Sequence, residues 1–258
     1  MKQQLLLRYL VVLAVLASLV GCTAAQNKTA VVPPPAVPEW QFHSIVDAQF
    51  VMDHATMPMA ENVMIIDARP YKPKYVNGHI PAAISIPDSQ FDKQVTLLPQ
   101  DKNALLIYYC GGLACKLSHK SAKKAEKLGY TNVKVFAEGF PKWKKTPGNY
   151  VSVSVDHVAA ALDKNQAVIV DARPKKPKFD KGHIPTALSI PFTYFDEYKG
   201  KLPRDTNTPL IFYCGGTACK LSHKSAKAAL ALGYTNVNVF SQGYPEWKKT
   251  IVPIIRWI

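Results

Sequence analysis

One block of this chain occurs twice, and that duplication limits what it can fold into more than any other feature. Asp67-Ala68-Arg69-Pro70 returns as Asp171-Ala172-Arg173-Pro174. Gly78-His79-Ile80-Pro81 returns as Gly182-His183-Ile184-Pro185, and Cys110-Gly111-Gly112 as Cys214-Gly215-Gly216. The offset is 104 residues each time, and from Asp67 to Lys145 the copies align without a gap. A period this long is the size of a whole small domain and is too long for one unit of a solenoid. The chain is therefore expected to hold two copies of one domain, over residues 41–147 and 150–258. Thr146-Pro147-Gly148-Asn149, rich in turn formers, is expected to join them.

Each copy reads as α/β. Val63-Met64-Ile65-Ile66 and Ala167-Val168-Ile169-Val170 are short apolar runs just before the shared Asp. Leu105–Tyr109 and Leu210–Tyr213 are similar runs just before the shared Cys. Such runs suit strands of a mainly parallel sheet that is covered on both faces by helices. Ser121–Leu128 reads as a helix that Gly129 stops, and Asn132–Phe136 as the next strand. Strand, Cys loop, helix, strand is a βαβ unit.

Cys110 and Cys214 stand where a buried strand ends and a glycine-rich turn leads into a helix. Glycines let successive N–H groups curl around one point, and a helix N-terminus adds positive potential. A thiol held there is expected to ionise easily and to meet an anionic substrate. The expected cradle is Gly111, Gly112, Leu113, Ala114 and Lys116 in the first copy. In the second it is Gly215, Gly216, Thr217, Ala218 and Lys220.

These motifs resemble those of the rhodanese family. The first signature is matched by Asp67-Ala68-Arg69 with Tyr75-Val76-Asn77-Gly78-His79-Ile80-Pro81-Ala82-Ala83. The active-site strand and loop are matched by Tyr109-Cys110-Gly111-Gly112, and the closing segment by Gly139-Phe140-Pro141-Lys142-Trp143. The second copy matches with Asp171, Arg173, Phe179, Gly182-His183-Ile184, Cys214 and Gly243-Tyr244-Pro245-Glu246-Trp247. The resemblance implies two tandem rhodanese-like domains and a sulfurtransferase. Cys110 and Cys214 would carry sulfane sulfur as a persulfide, taken from a small anionic donor such as thiosulfate and passed to a thiol or cyanide-like acceptor. It implies no cofactor, and a structural role for Asp67 with Arg69 and for Asp171 with Arg173.

The loops depart from the family pattern in two ways. They are longer than the common one and end in Lys116 or Lys220 where Arg is usual, so they also resemble the wider loops of rhodanese-fold phosphatases. A lysine is a point charge that cannot grip an oxyanion as a guanidinium does. Each loop also holds a second thiol, Cys115 or Cys219. These thiols either resolve a persulfide or sulfenate on the first Cys, or pack as small apolar residues. The spacing suits no closed metal site. The alternative to a sulfurtransferase is a non-enzymatic binder or sensor of chalcogen oxyanions, polysulfide or a thiophilic metal through these paired loop cysteines, and a third reading is a phosphatase-like or redox disulfide enzyme. His119, Lys120, Lys123 and Lys124 follow the first loop, and His223, Lys224 and Lys227 the second. Some of them are expected at the cradle mouth.

The N-terminus reads as a lipoprotein signal peptide over residues 1–21. Met1-Lys2-Gln3-Gln4 and Arg8 form a basic head, Tyr9–Val20 is apolar but short for a membrane span, and Leu19-Val20-Gly21-Cys22 resembles a bacterial lipobox. Cys22 is the expected lipidation site, and the Pro-rich residues 22–40 the tether. The expected location is the cell envelope, on the outer membrane facing the periplasm if the host is Gram-negative, since Thr23 follows the Cys. A net charge of +14 fits small anionic partners. No nucleic-acid-binding signature is present, and nucleic acid is not an expected partner. The apolar Ile251–Ile258 could cap a sheet edge or pack between the domains.

Overall fold

The computed structural model describes residues 38–250; the expected signal peptide, Cys22, most of the expected tether and Ile251–Ile258 lie outside the described residues. The first copy runs through α1 (Ala48–His54), β1 (Val63–Asp67), β2 (Ile84–Ser85) and the single turn α2 (Phe91–Gln94). It continues with β3 (Leu105–Tyr109), α3 (Leu117–Lys127), β4 (Val133–Phe136) and α4 (Gly139–Lys145). The second runs through β5 (Val151–Ser152), α5 (Val155–Asp163), β6 (Val168–Asp171), β7 (Leu188–Ser189) and the single turn α6 (Phe195–Tyr198). β8 (Leu210–Tyr213), α7 (Leu221–Ala231), β9 (Val237–Phe240) and α8 (Gly243–Thr250) complete it.

Both sheets are wholly parallel. The first has the order β2-β1-β3-β4, and a bridge from Ile45 to Val135 extends it beyond β4. The second has the order β5-β9-β8-β6-β7, with the same arrangement and a true strand at that edge. Each is an α/β domain with helices on both faces, as the apolar runs require. Every residue of β3 is buried, and alternation sends its side chains into two separate cores. Leu106 and Tyr108 join the core under α3 with Ala122, Ala125 and Val133. Leu105, Ile107 and Tyr109 join the core on the other face with Val51, Ile65 and Trp143. Burying one such aliphatic side chain contributes about 1.5–3 kcal/mol.

Helix ends follow local chemistry. The Asp47 carboxylate accepts from the Phe50 N–H at the start of α1, and Ser154 from the His157 N–H at the start of α5. Gly129 and Gly233, both at φ +90°, let the chain leave α3 and α7 in a left-handed turn.

The copies are joined by more than the chain between them. His79 and Ser152 exchange two backbone hydrogen bonds of 2.9 Å, the Ser154 N–H reaches the Val76 carbonyl at 3.2 Å, and the Trp143 indole donates to the Tyr150 carbonyl at 2.9 Å. The Gly-His-Ile turn of the first domain thus pairs with the edge strand of the second.

Candidate functional site

β3 and β8 carry Cys110 and Cys214 to the carboxyl ends of their sheets, and each loop then folds back on itself. The Cys115 N–H donates to the Gly112 carbonyl at 2.8 Å, and the Cys219 N–H to that of Gly216 at 2.9 Å. The backstop of each loop is a glycine. Gly139, at φ +59°, lies against the Cys110 carbonyl so closely that a Cβ would collide with it, and Gly243 lies against Cys214 in the same way. The same carbonyls accept the N–H of Phe140 and of Tyr244, each at 3.0 Å. The closing motif of each copy therefore fixes the loop.

Cys110 is fully buried. Its Sγ lies 3.1 Å from the Cys115 carbonyl oxygen and 3.1 Å from the Ser118 hydroxyl. Cys214 repeats this with the Cys219 carbonyl at 3.2 Å and Ser222 at 3.1 Å. The second thiols are half-buried, and all four cysteines are free. Here the structure departs from expectation, because the strand-end thiols are not acidified. The neighbouring Cys115 thiol raises the pKa of Cys110, burial adds to this, and Ser118 opposes it. Burial pushes Cys214 up to about 11, with Cys219 acting in the same sense. The glycine turn and helix start act on the neighbour instead. The neighbouring Cys110 thiol lowers Cys115 to about 6, helped by the N–H groups of Gly111 and Leu117 and the charge of Arg69, against the cost of burial. In the first loop, thiolate charge thus rests on the half-buried outer thiol.

The other expected cradle residues divide. Gly111, Leu113, Ala114 and Lys116 are exposed on the loop while Gly112 is buried, and the second loop exposes Gly215, Thr217, Ala218 and Lys220. The Lys116 ammonium sits 5.4 Å over the Trp40 ring. Trp40, the last residue of the expected tether, also packs edge-on against His119, with ring centroids 5.0 Å apart. The two histidines do not draw in anions. His119 is buried and its Nδ1 accepts from the Phe42 N–H at 3.0 Å, while His223 pairs with the Tyr150 hydroxyl at 2.9 Å. Burial lowers both pKa values, that of His223 to about 4, and so keeps them neutral. Lys123 bonds the Glu39 carbonyl, and Lys124 the Asp88 carbonyl and carboxylate. Of the basic residues after the first loop, Lys120 stays exposed without such a tie.

The Asp–Arg pairs are structural. Arg69 bonds the fully buried Asp67 through two nitrogens and reaches the Gly78 carbonyl at 2.7 Å, while the Tyr109 hydroxyl donates to Asp67 at 2.8 Å. Arg173 and Asp171 repeat the bidentate pairing and the bond to the Gly182 carbonyl. They pin the Gly-His-Ile turn to the sheet next to the Cys strand.

The two loops have different surroundings. The second faces a cavity of about 430 Å³ between the domains. Thr217, Ala218 and Gln242 form one side, and Met57, Met59, Tyr71 and Tyr75 of the first domain the other. The first loop borders an open groove with Gln41, Ile45, Phe50 and Glu138, where Leu113 is 69% exposed.

The rhodanese-like domain model matches residues 53–146 and again residues 154–250. The chain is 25% identical to the 3-mercaptopyruvate sulfurtransferase of Escherichia coli K12, over 78% of this chain and 94% of that protein. Among solved structures it is similar to a thiosulfate sulfurtransferase from Pseudomonas aeruginosa, with 19% identity and a TM-score of 0.36, over 80% of this chain and 42% of that one. It is also similar to the 3-mercaptopyruvate sulfotransferase SseA from Escherichia coli, with 20% identity and a TM-score of 0.34, over 78% and 98%. With both matched segments holding the strand, cysteine loop and helix just described, the chain belongs to the rhodanese-like domain family and carries two copies of that domain in tandem.

Proposed function

We propose that this protein is a sulfurtransferase or persulfide carrier with two working sites, in which sulfane sulfur rides on Cys110 and Cys214. One observation carries the reading. Both copies hold the same cysteine at the end of a buried strand, against a glycine turn, a serine hydroxyl 3.1 Å away and the start of a helix. Catalysis begins when the inner thiol gives up its proton and becomes the attacking thiolate, with the Ser118 or Ser222 hydroxyl 3.1 Å away to hydrogen-bond it. The thiolate takes the outer sulfur of a thiosulfate-type donor, sulfite leaves with the electron pair of the broken S–S bond, and a persulfide remains. A thiol or cyanide-like acceptor then removes the sulfane sulfur. No protein cofactor enters this cycle.

Mercaptopyruvate is a second donor to test, since a relative at 25% identity is named for it. We also propose attachment to the cell envelope through a lipid on Cys22, on the sequence grounds given above. The test of the main reading is sulfur transfer from thiosulfate and from mercaptopyruvate, with mass analysis of each loop peptide. Sulfur gain on the loop peptides of Cys110 and Cys214 supports the carrier reading. Binding of donor without any covalent sulfur would replace it with the non-enzymatic binder.

A further inference from the structure

We propose that each loop also acts as a dithiol that reduces the sulfur it has accepted, releasing sulfide and closing a Cys110–Cys115 or Cys214–Cys219 disulfide. This rests on the carrier reading and goes beyond it, because the acceptor is now inside the loop. The fold brings the inner sulfur of each loop against the backbone of the second cysteine. Cys110 Sγ contacts the Cys115 carbonyl at 3.1 Å, so the backbone that bears the second thiol lies against the first. The turn closed by the Cys115 N–H and the Gly112 carbonyl holds it there, and Cys115 Sγ packs 3.8 Å from where a Gly111 Cβ would stand. The second loop repeats the carbonyl contact and the closing turn. The outer thiol of each pair is half-buried while the inner one is buried, which suits an outer thiol that closes on a loaded inner one.

The chemistry balances without an unnamed partner in the first turnover. The inner sulfur takes sulfane sulfur from thiosulfate and sulfite leaves. The outer thiolate then attacks the inner Sγ, a new S–S bond forms within the loop, and hydrosulfide leaves with the electrons of the broken S–S bond. Two thiols and one thiosulfate give one disulfide, one sulfite, one hydrosulfide and one proton. The two thiols are oxidised by two electrons and the sulfane sulfur is reduced by two. Further turnovers need a dithiol reductant, which opens the loop disulfide by exchange.

The experiment uses the processed chain with thiosulfate under anaerobic conditions and no added thiol. Released sulfide is measured, and each loop peptide is weighed after acid quenching and alkylation. The expected result is one sulfide per loop, with both loop peptides lighter by two hydrogens and resistant to alkylation. Addition of dithiothreitol should make sulfide release continuous. In a Cys115→Ser, Cys219→Ser double variant, sulfide release should fall at least tenfold and the persulfide should accumulate on Cys110 and Cys214. Wild-type loops that gain sulfur but keep it, with no sulfide released, would overturn this inference and leave the carrier reading standing. No sulfur gain on either inner cysteine, in wild type or double variant, would overturn the carrier reading itself.

Discussion

Gly139→Ala tests whether the closing motif holds the first cysteine loop in its working shape. Gly139 has φ +59°, where an L side chain costs about 1–2 kcal/mol. A Cβ there would also collide with the Cys110 carbonyl and crowd the Gly112 nitrogen at 2.9 Å, both of them backbone that cannot swing away. Relief requires the carbonyl to move, and with it goes its hydrogen bond from the Phe140 N–H, about 0.5–1.5 kcal/mol. Together these amount to about 1.5–3.5 kcal/mol against the loop geometry, enough to slow loading by about tenfold or more at 1.4 kcal/mol per decade. The assay is the rate of sulfur gain on the Cys110 peptide in a Cys214→Ser background, with an unfolding curve alongside. Gly243→Ala in a Cys110→Ser background should do the same to the second loop. Unchanged loading with an unchanged melting curve would refute the backstop role of this glycine.

The remaining predictions concern charge, stability and the division of labour. Iodoacetamide should label Cys115 at a rate that rises through about pH 6 and then levels off, while Cys110 stays protected until far more alkaline pH; peptide mass mapping reads both. Each of Cys110→Ser and Cys214→Ser should leave partial sulfur transfer and the double change none, and full loss from Cys214→Ser alone would contradict two working sites. Asp67→Ala strands the Arg69 guanidinium and the Tyr109 hydroxyl in the protein interior and should cost about 3–5 kcal/mol in urea unfolding. His223 has its folded pKa lowered to about 4 from an unfolded 6.5, so the unfolded chain binds its proton first. Stability should therefore fall as pH drops from about 6.5 to 4, by about 3 kcal/mol from this residue, and His223→Gln should flatten that part of the profile.

The apolar runs made β1, β3, β6 and β8 readable because parallel strands buried on both faces need unbroken apolar sequence, and the structure moves their bounds by a residue at most. The helix after the first loop was expected from Ser121, yet it begins at Leu117. The difference has a physical source. The buried face of that first turn is Ser118 and His119, with Ser121 next, and these are polar side chains that periodicity counts as surface. Each is buried because it has a partner: Ser118 bonds Cys110, His119 the Phe42 N–H and Ser121 the Asp88 carboxylate. Only the folded chain brings those partners in. For the same reason the positions of the loop cysteines were legible and their ionisation was not. Chain order places Cys110 at a strand end, but which of two thiols faces water depends on how the loop turns back on itself.

The copies are near-identical through the cysteine loop, so a difference between their sites must come from what surrounds the loops. Thr217 and Ala218 of the second loop face Met57, Met59, Tyr71 and Tyr75 across a cavity of about 430 Å³, a size that admits a small molecule and excludes a folded protein. Those four side chains belong to the first domain, and the turn that follows Tyr75 is held against the second domain by the paired backbone bonds of His79 and Ser152. Residues of the first domain therefore wall the cavity beside the second cysteine loop. Among the described residues, the groove beside the first loop lies open around the exposed Leu113. Duplication of one domain in a single chain thus gives its two cysteine loops unequal surroundings: the second faces a cavity walled by the neighbouring domain, and the first an open groove.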